Sequence, residues 1–287
     1  MIAKIAGIIP ILATPFTSEG EVDANGFAAI VESAITNGAH AVAMFGLASE
    51  YYKLTDDERR ILTSVLIETT RDRVPVLISV THHSTEVAVR QAMEAEQAGA
   101  HAVMVLPPFF LSPPLNSILF HVEAIVAAVH IPVILQYAPV QTAIPADVLL
   151  RLPVSIIKVD ASPSIPALLS LPVGVTTLVG YMGLDLPDAV LAGCSGCMPT
   201  ASLVRSFVKV WRLLQENPAE GRREHHTLLP LLQYMMQSVE FLIAAEKQLL
   251  VKQGIIRSGY CRSPCVSFYR EQINQLDEYL ENLAKDI

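Results

Sequence analysis

Eight short runs rich in apolar and β-branched residues recur along this chain of 287 residues, and that recurrence limits the possible fold more than any single motif does. The runs are Ile8 to Leu12, Ala41 to Phe45, Val76 to Ser79, Ala102 to Leu106, Val133 to Gln136, Ser155 to Val159, Thr176 to Val179 and Gly196 to Met198. Several are apolar throughout rather than alternating, as strands covered on both faces must be. Between them lie amphipathic stretches, such as Asn25 to Ile35, Thr85 to Gln97 (closed by Gly99) and Asn116 to Ala128. Thr55-Asp56-Asp57-Glu58 reads as a capping box that opens another helix, Thr55 reaching three residues on to Glu58. Length alone fits either two average domains or one large barrel, but eight βα units make a (β/α)8 barrel, an α/β fold. The expected organisation is a barrel over residues 1–217 and a helical C-terminal extension of the same domain over 218–287. The charged stretch Glu216 to Glu224 is expected to be a connection between them.

Composition narrows the partners. A formal net charge of −8, with no basic stripe, argues against nucleic acid or an anionic membrane. Ala102 to His121 and Ala124 to Ala146 contain no charged residue, yet prolines break both, which suits a buried strand and its loop rather than a membrane helix. The first residues lack the segments of a signal peptide, so a soluble, cytoplasmic protein is expected. Cys194-x-x-Cys197 has no second pair at zinc spacing, and with Cys261 and Cys265 it is expected to stay reduced and metal-free. No Walker loop or GxGxxG is present.

In such barrels chemistry gathers where strands end and βα loops begin. That rule selects Gly46 to Tyr52, Thr81 to Ser84, Pro107 to Phe110, Gln136 to Thr142, Lys158 to Asp160, Gly180 to Gly183 and Met198 to Thr200. Among them Lys158 stands out, in the middle of the strand-like Val154-Ser155-Ile156-Ile157-Lys158-Val159. The other six lysines (Lys4, Lys53, Lys209, Lys247, Lys252, Lys285) lie near termini or in polar, helix-like or loop-like stretches. Burial strips an ammonium of hydration and favours the neutral amine, which can attack a ketone to form a Schiff base. The bland alternative is a lysine that snorkels to water or pairs with a carboxylate such as Asp160. His82 and His83 are neighbours and should face opposite ways; His83 is preferred as an acid, a base or a hydroxyl ligand in the mouth. His40, His101, His121, His130, His225 and His226 are expected to be structural.

Thr14-Pro15-Phe16, Gly46-Leu47-Ala48-Ser49-Glu50, Leu54-Thr55-Asp56-Asp57-Glu58-Arg59, Pro107-Pro108-Phe109-Phe110, Gln136-Tyr137-Ala138-Pro139 and Ile157-Lys158 occur in that order. Together they resemble the dihydrodipicolinate synthase / N-acetylneuraminate lyase superfamily over nearly the whole chain. The resemblance implies a class I lyase acting on pyruvate or another 2-oxo acid, usually as a homotetramer built as a dimer of dimers. Lys158 falls on the imine-forming lysine, so no metal or redox cofactor is implied. The departures matter too. Leu47 and Ala48 replace the two threonines usual in the glycine turn, and Gln136 replaces the proton-relay tyrosine, with Tyr137 one residue later. Phe109 and Phe110 replace paired tyrosines, and Gln141 replaces an arginine used for dicarboxylic substrates. Ala48-Ser49-Glu50-Tyr51-Tyr52, Thr81-His82-His83-Ser84-Thr85, Gly180-Tyr181-Met182-Gly183 and Gly193-Cys194-Ser195-Gly196-Cys197-Met198-Pro199 are closer to the branch containing 2-keto-3-deoxy-L-arabonate dehydratase.

The expected reaction is therefore dehydration of a 2-keto-3-deoxy sugar acid. Lys158 condenses with C2, a base removes the C3 proton, and the C4 hydroxyl leaves. An aldolase releasing pyruvate and a non-catalytic barrel that binds a 2-oxo acid are the alternatives. For the substrate carboxylate, the turn offers the N–H groups of Leu47 and Ala48 and the hydroxyl of Ser49, with Glu50 orienting the turn. Gln136 is assigned to orienting substrate or water. Tyr137 is assigned either to the substrate or to a subunit interface, because strand alternation would turn it away. Gly180 allows close approach to the lysine, Tyr181 contacts the distal substrate, and Met198 lies at the end of the eighth strand. Pro107 to Phe110 forms an apolar wall and a dimer contact.

Overall fold

The computed structural model describes residues 5–111, 113–139, 144–149, 151–171 and 174–285. The eight expected strands are all present: β1 (Gly7–Ile8), β2 (Val42–Met44), β3 (Val76–Ser79), β4 (Ala102–Val105), β5 (Val133–Tyr137), β6 (Ile156–Val159), β7 (Thr176–Val179) and β8 (Gly196–Cys197). They alternate with α1 (Ala24–Thr36), α2 (Asp56–Thr70), α3 (Thr85–Ala98), α4 (Leu115–Ala128), α5 (Ala146–Leu149), α6 (Ile165–Ser170), α7 (Leu186–Leu191) and α8 (Val204–Glu216). All ladders are parallel, and neighbours in sequence are neighbours in the sheet, with β1 against β8. The first strand pairs as a ladder only over Gly7–Ile8, but its continuation bridges from Ile11 to both Ala43 and Thr200 and so closes the ring.

Local signals agree with this frame. The Thr55 hydroxyl accepts from Glu58 N–H while the Glu58 carboxylate accepts from Thr55 N–H, the reciprocal box expected at the start of α2. Gly99 ends α3 at φ 102°, a conformation that a side chain would resist.

Two apolar layers follow from strand alternation. One joins the outward faces of the strands to the helices, with Phe27, Ile30, Leu62 and Val122 packed on Val42, Met44, Val103 and Val159. The other fills the barrel interior with Ile11, Ala43, Met104, Ile134, Ile156 and Leu178. A residue two positions after Ile134 or Ile156 shares that inward face.

The stretch expected to be a connection, Glu216 to Glu224, is helical instead. Only Asn217 separates α8 from α9 (Pro218–Met235): its side chain accepts from Glu220 N–H, and Pro218 opens the helix. An asparagine cap followed by proline at the first position is a helix start, a signal masked by the surrounding charge. Two further helices complete the chain, α10 (Val239–Lys252) and α11 (Arg270–Lys285). Among the described residues no single helix is long and apolar enough to cross a membrane. α10 packs against the single turns Leu47–Ser49 and Ala201–Leu203, at the ends of β2 and β8, so the C-terminal helices reach the barrel mouth.

Candidate active site

Register places the two central residues side by side. Gln136 of β5 is the direct partner of Lys158 of β6, and each lies two residues after an interior isoleucine. Lys158 is 6% exposed, so this lysine is buried as its strand predicts. It is also paired: its Nζ lies 2.9 Å from Asp160 Oδ2. The burial expected of Lys158 and the expected pairing with Asp160 thus occur together, at the wall of one cavity.

Asp160 is the residue whose role sequence reasoning missed. Gln136 Nε2 donates to its Oδ2, and Tyr181 N–H donates to Oδ1 at 3.2 Å. The signal was present, because residues two apart on a strand share a face and Lys158-x-Asp160 has that spacing. Gly180 makes the arrangement possible. A Cβ there would overlap Asp160 Oδ1 and stand 2.9 Å from Lys158 Cε. Its expected role, close approach to the lysine, is met, and the approach is closer still to the aspartate.

A cavity of about 100 Å3 opens over this group. Of the residues singled out from sequence, Leu47, Ala48, Gln136, Lys158, Tyr181 and Met198 line it. Met236, Val239 and Leu242, from the end of α9 and the start of α10, complete the wall. No local pattern could have announced them, because they arrive from the far end of the chain. In the turn, Ser49 N–H donates to Gly46 O and Glu50 N–H to Leu47 O. Among the described residues nothing accepts from the N–H groups of Leu47 and Ala48. These two are the free donors beside Lys158.

Three expectations fall elsewhere. The Ser49 hydroxyl donates to Leu12 O at 2.6 Å and the Ser49 carbonyl accepts from Thr14, so this side chain pins the turn to the first βα loop. Tyr137 pairs with Val159 and packs on the helix-facing layer, as alternation requires. His83 packs edge-on to Phe109 at 5.0 Å between ring centres, and it lines a separate, adjacent cavity of about 620 Å3 with His82, Thr81, Tyr51, Tyr52 and Arg59. Burial, and then the neighbouring His82, hold its imidazole below the ordinary value. It is not brought to Lys158. Gln141 lies outside the described residues.

Glu50 is fully buried and serves a charge network. Its carboxylate pairs with Lys53 at 3.1 Å and with Lys247 of α10, and Lys53 also reaches Glu240 at 3.0 Å. Lys247, grouped from sequence with the lysines near termini or in polar, helix-like or loop-like stretches, is 0% exposed and more buried than Lys158. Its nitrogen donates to Tyr260 O at 3.0 Å and stands 4.3 Å from the Phe16 ring centre. Burial pulls its ammonium below the ordinary value, against the attraction of Glu50. The apolar residues one turn either side, Ile243, Ala244 and Leu250, were the available clue. The preceding residue, Glu246, accepts from Ser202 N–H at 2.9 Å and from the Ser202 hydroxyl. Consecutive residues of α10 thus fasten both loops that flank the cavity, the turn after β2 and the turn after β8. The remaining expected structural histidines that are buried behave so, His225 meeting Gly183 O at 2.8 Å and His121 meeting Thr85 at 3.0 Å. Cys194 and Cys197 are buried free thiols, and among the described residues no group of three or more His, Cys, Asp or Glu is placed to hold a metal ion.

Known proteins share this frame. A solved structure described as a putative dihydrodipicolinate synthetase from Pseudomonas aeruginosa superposes with a TM-score of 0.90 at 26% identity, covering 98% of this chain and 100% of that one. An L-2-keto-3-deoxyarabonate dehydratase from Azospirillum brasilense is 29% identical over 276 residues, 90% of this chain and 88% of that protein. A 4-hydroxy-tetrahydrodipicolinate synthase from Rhizobium meliloti (strain 1021) is 34% identical over 142 residues, which is 50% of this chain and only 48% of the synthase. The model of the dihydrodipicolinate synthetase family matches residues 4–155. With more than half the chain matched and the barrel reproduced end to end, the protein belongs to the dihydrodipicolinate synthetase family, a family of lyases.

Proposed function

We propose that this protein is a Schiff-base lyase that dehydrates a 2-keto-3-deoxy sugar acid. The observation that carries the reading is the buried Lys158–Asp160 pair at 2.9 Å, with Gln136 on the same carboxylate oxygen, facing a cavity. Likeness to the Azospirillum dehydratase along 90% of the chain favours dehydration over the synthase reaction, for which the Rhizobium likeness covers half.

In this reading Asp160 takes a proton from the Lys158 ammonium, and the freed amine attacks the C2 carbonyl. Asp160 returns that proton to the carbinolamine hydroxyl, which leaves as water, so a protonated imine and a free Asp160 carboxylate remain. The imine draws electron density from C3, which makes the C3–H bond acidic, so no metal or redox cofactor is needed to hold the charge. Asp160, adjacent to the nitrogen, removes the C3 proton. The electron pair expels the C4 hydroxyl, which departs as water with a proton returned by Asp160. Water then cleaves the imine and releases the dehydrated keto acid. One carboxylate serves as base and then acid, and it replaces the missing hydroxyl relay. The assignment of base thereby passes from His83 to Asp160. Gln136 holds the carboxylate in place, and the N–H groups of Leu47 and Ala48 receive the substrate carboxylate.

Borohydride reduction with pyruvate tests the imine. One adduct, on Lys158 and absent from Lys158→Ala, is expected; no adduct would end the enzymatic reading and leave a binding barrel. Product analysis tests the step, because release of pyruvate from a 2-keto-3-deoxy pentonate would mean aldol cleavage. The proposal extends to a cytoplasmic homotetramer, supported by the exposed Phe110 and Leu111 after β4 and checked by sedimentation.

A further inference from the structure

We propose that Thr200 binds the leaving group, its hydroxyl donating to the C4 oxygen of the substrate. The inference rests on the Schiff-base reading and adds one residue to that same site.

Thr200 follows β8 and bridges to Ile11 on the continuation of β1. It lies two residues after Met198 of the barrel interior, so alternation turns both side chains inward. It lines the Lys158 cavity, yet it is 1% exposed and its Oγ1 has no hydrogen-bond partner among the described residues. Three other buried side-chain atoms, in Thr70, His121 and Ser164, share that condition, and none of these residues lines the cavity. Glu246 stands beside Thr200, but its two oxygens already accept from Ser202 N–H at 2.9 Å and from the Ser202 hydroxyl. The Thr200 hydroxyl therefore stays open to a group inside the cavity. An unpaired buried hydroxyl is costly, and a substrate oxygen would relieve that cost.

Register selects the oxygen. Lys158 pairs with Leu178, and Leu178 with Gly196. A shear of about eight residues over the barrel raises the level by about one residue per strand, so Lys158 stands level with Met198 and Asp160 with Thr200. Asp160 and Thr200 therefore flank the cavity at one height, with Tyr181 between them in the ring of strand ends. The substrate has C1 on the Leu47 and Ala48 amides, C2 on Lys158 and C3 beside Asp160, which leaves C4 and its oxygen for the Thr200 side. As the C3–H electron pair expels that oxygen, negative charge gathers on it. Asp160 supplies the proton to one lone pair and Thr200 donates to the other. A neutral hydroxyl does not take up the C4 hydroxyl proton. Thr200 thus favours loss of water over cleavage of C3–C4, which requires a base on that group.

The test compares Thr200→Val and Thr200→Ser with the wild type on 2-keto-3-deoxypentonate and on pyruvate. Valine keeps the shape and removes the hydroxyl, so kcat for dehydration should fall at least ~10-fold, with serine restoring most of it. Pyruvate has no C4 oxygen. Borohydride trapping on Lys158 and solvent-deuterium exchange of the pyruvate methyl protons should therefore continue in Thr200→Val at the wild-type rate. The urea midpoint of Thr200→Val should equal or exceed that of the wild type, because a methyl group takes the place of an unpaired buried hydroxyl. Dehydration at the wild-type rate in Thr200→Val, or an equal loss of dehydration and of pyruvate exchange, overturns this inference alone. A lowered midpoint also overturns it, by showing that the hydroxyl holds Glu246 instead. A wild type that traps no pyruvate, or that releases pyruvate from the pentonate, overturns the proposed function and this inference with it.

Discussion

Replacing Gly180 by alanine adds one methyl group just after β7, beside the Lys158–Asp160 pair to which catalysis is assigned in the proposed function. Its φ is −100°, outside the left-handed region, so no glycine-only backbone angle is at stake. The obstacle is the space. The new Cβ would overlap Asp160 Oδ1 and lie 2.9 Å from Lys158 Cε. Carbon atoms rest at ~3.5–4.0 Å, so the lysine must retreat by about 0.6 Å or more, and the carboxylate further. Asp160 now stands 2.9 Å from the amine, and a shift of about 1 Å takes it beyond hydrogen-bond reach. Misplacement by ~1 Å costs about 100-fold in rate, so kcat should fall by about that factor. The overpacking itself should cost roughly 1–3 kcal/mol in stability. Steady-state kinetics, together with borohydride trapping and a urea titration, separates the effects. Trapped pyruvate should still reach Lys158, more slowly, in a folded protein. A Gly180→Ala enzyme with kcat within a factor of about three of wild type would refute the assignment of Asp160, because the carboxylate could not then occupy the working position.

Two further predictions concern what holds the site. Lys247→Met leaves the fully buried Glu50 with only Lys53, and breaking a buried pair costs ~3–5 kcal/mol. At roughly 2–4 °C per kcal/mol for chains somewhat shorter than this one, thermal scans should show a drop of at least about 6 °C. Glu50→Gln combined with Lys247→Met should then lose less than the two single losses added together, and an additive result would deny the coupling. Burial, with His82 and His83 adding to it, holds His121 at about 4, below its ordinary value. Its folded form therefore stays neutral while the unfolded chain takes up a proton, so its contribution is complete above about pH 6.5 and is lost as pH falls from there to about 4. In His121→Gln the fall in urea midpoint between pH 7.5 and pH 4.5 should be smaller, by an equivalent of roughly 2 kcal/mol; an equal fall would disprove the role.

Much of the scaffold was legible because it depends on short-range rules. Apolar runs covered on both faces identified eight strands, and the Thr55 box and Gly99 marked helix ends within a residue or two. The start of α9 was misread, because charge hid an asparagine–proline cap. Lys158 was legible as an ion out of place in its strand, and Tyr137 as turned outward by alternation.

The chain alone, then, settled the barrel, the strand that carries the lysine and the side to which that lysine points, since these follow from periodicity within a few residues. Tertiary structure alone decided which groups from distant segments meet. Asp160, two residues after Lys158, meets Gln136 only through the β5–β6 register, and it has room only beside the bare Gly180 that follows β7. His83 faces another cavity because loop packing on Phe109 turns it there. Glu50 finds Lys247 across nearly two hundred residues, and Val239 joins the wall of the Lys158 cavity, because α10 folds back over the mouth. Pairing between buried charges is governed by distance in space, and no local pattern encodes how far the chain returns.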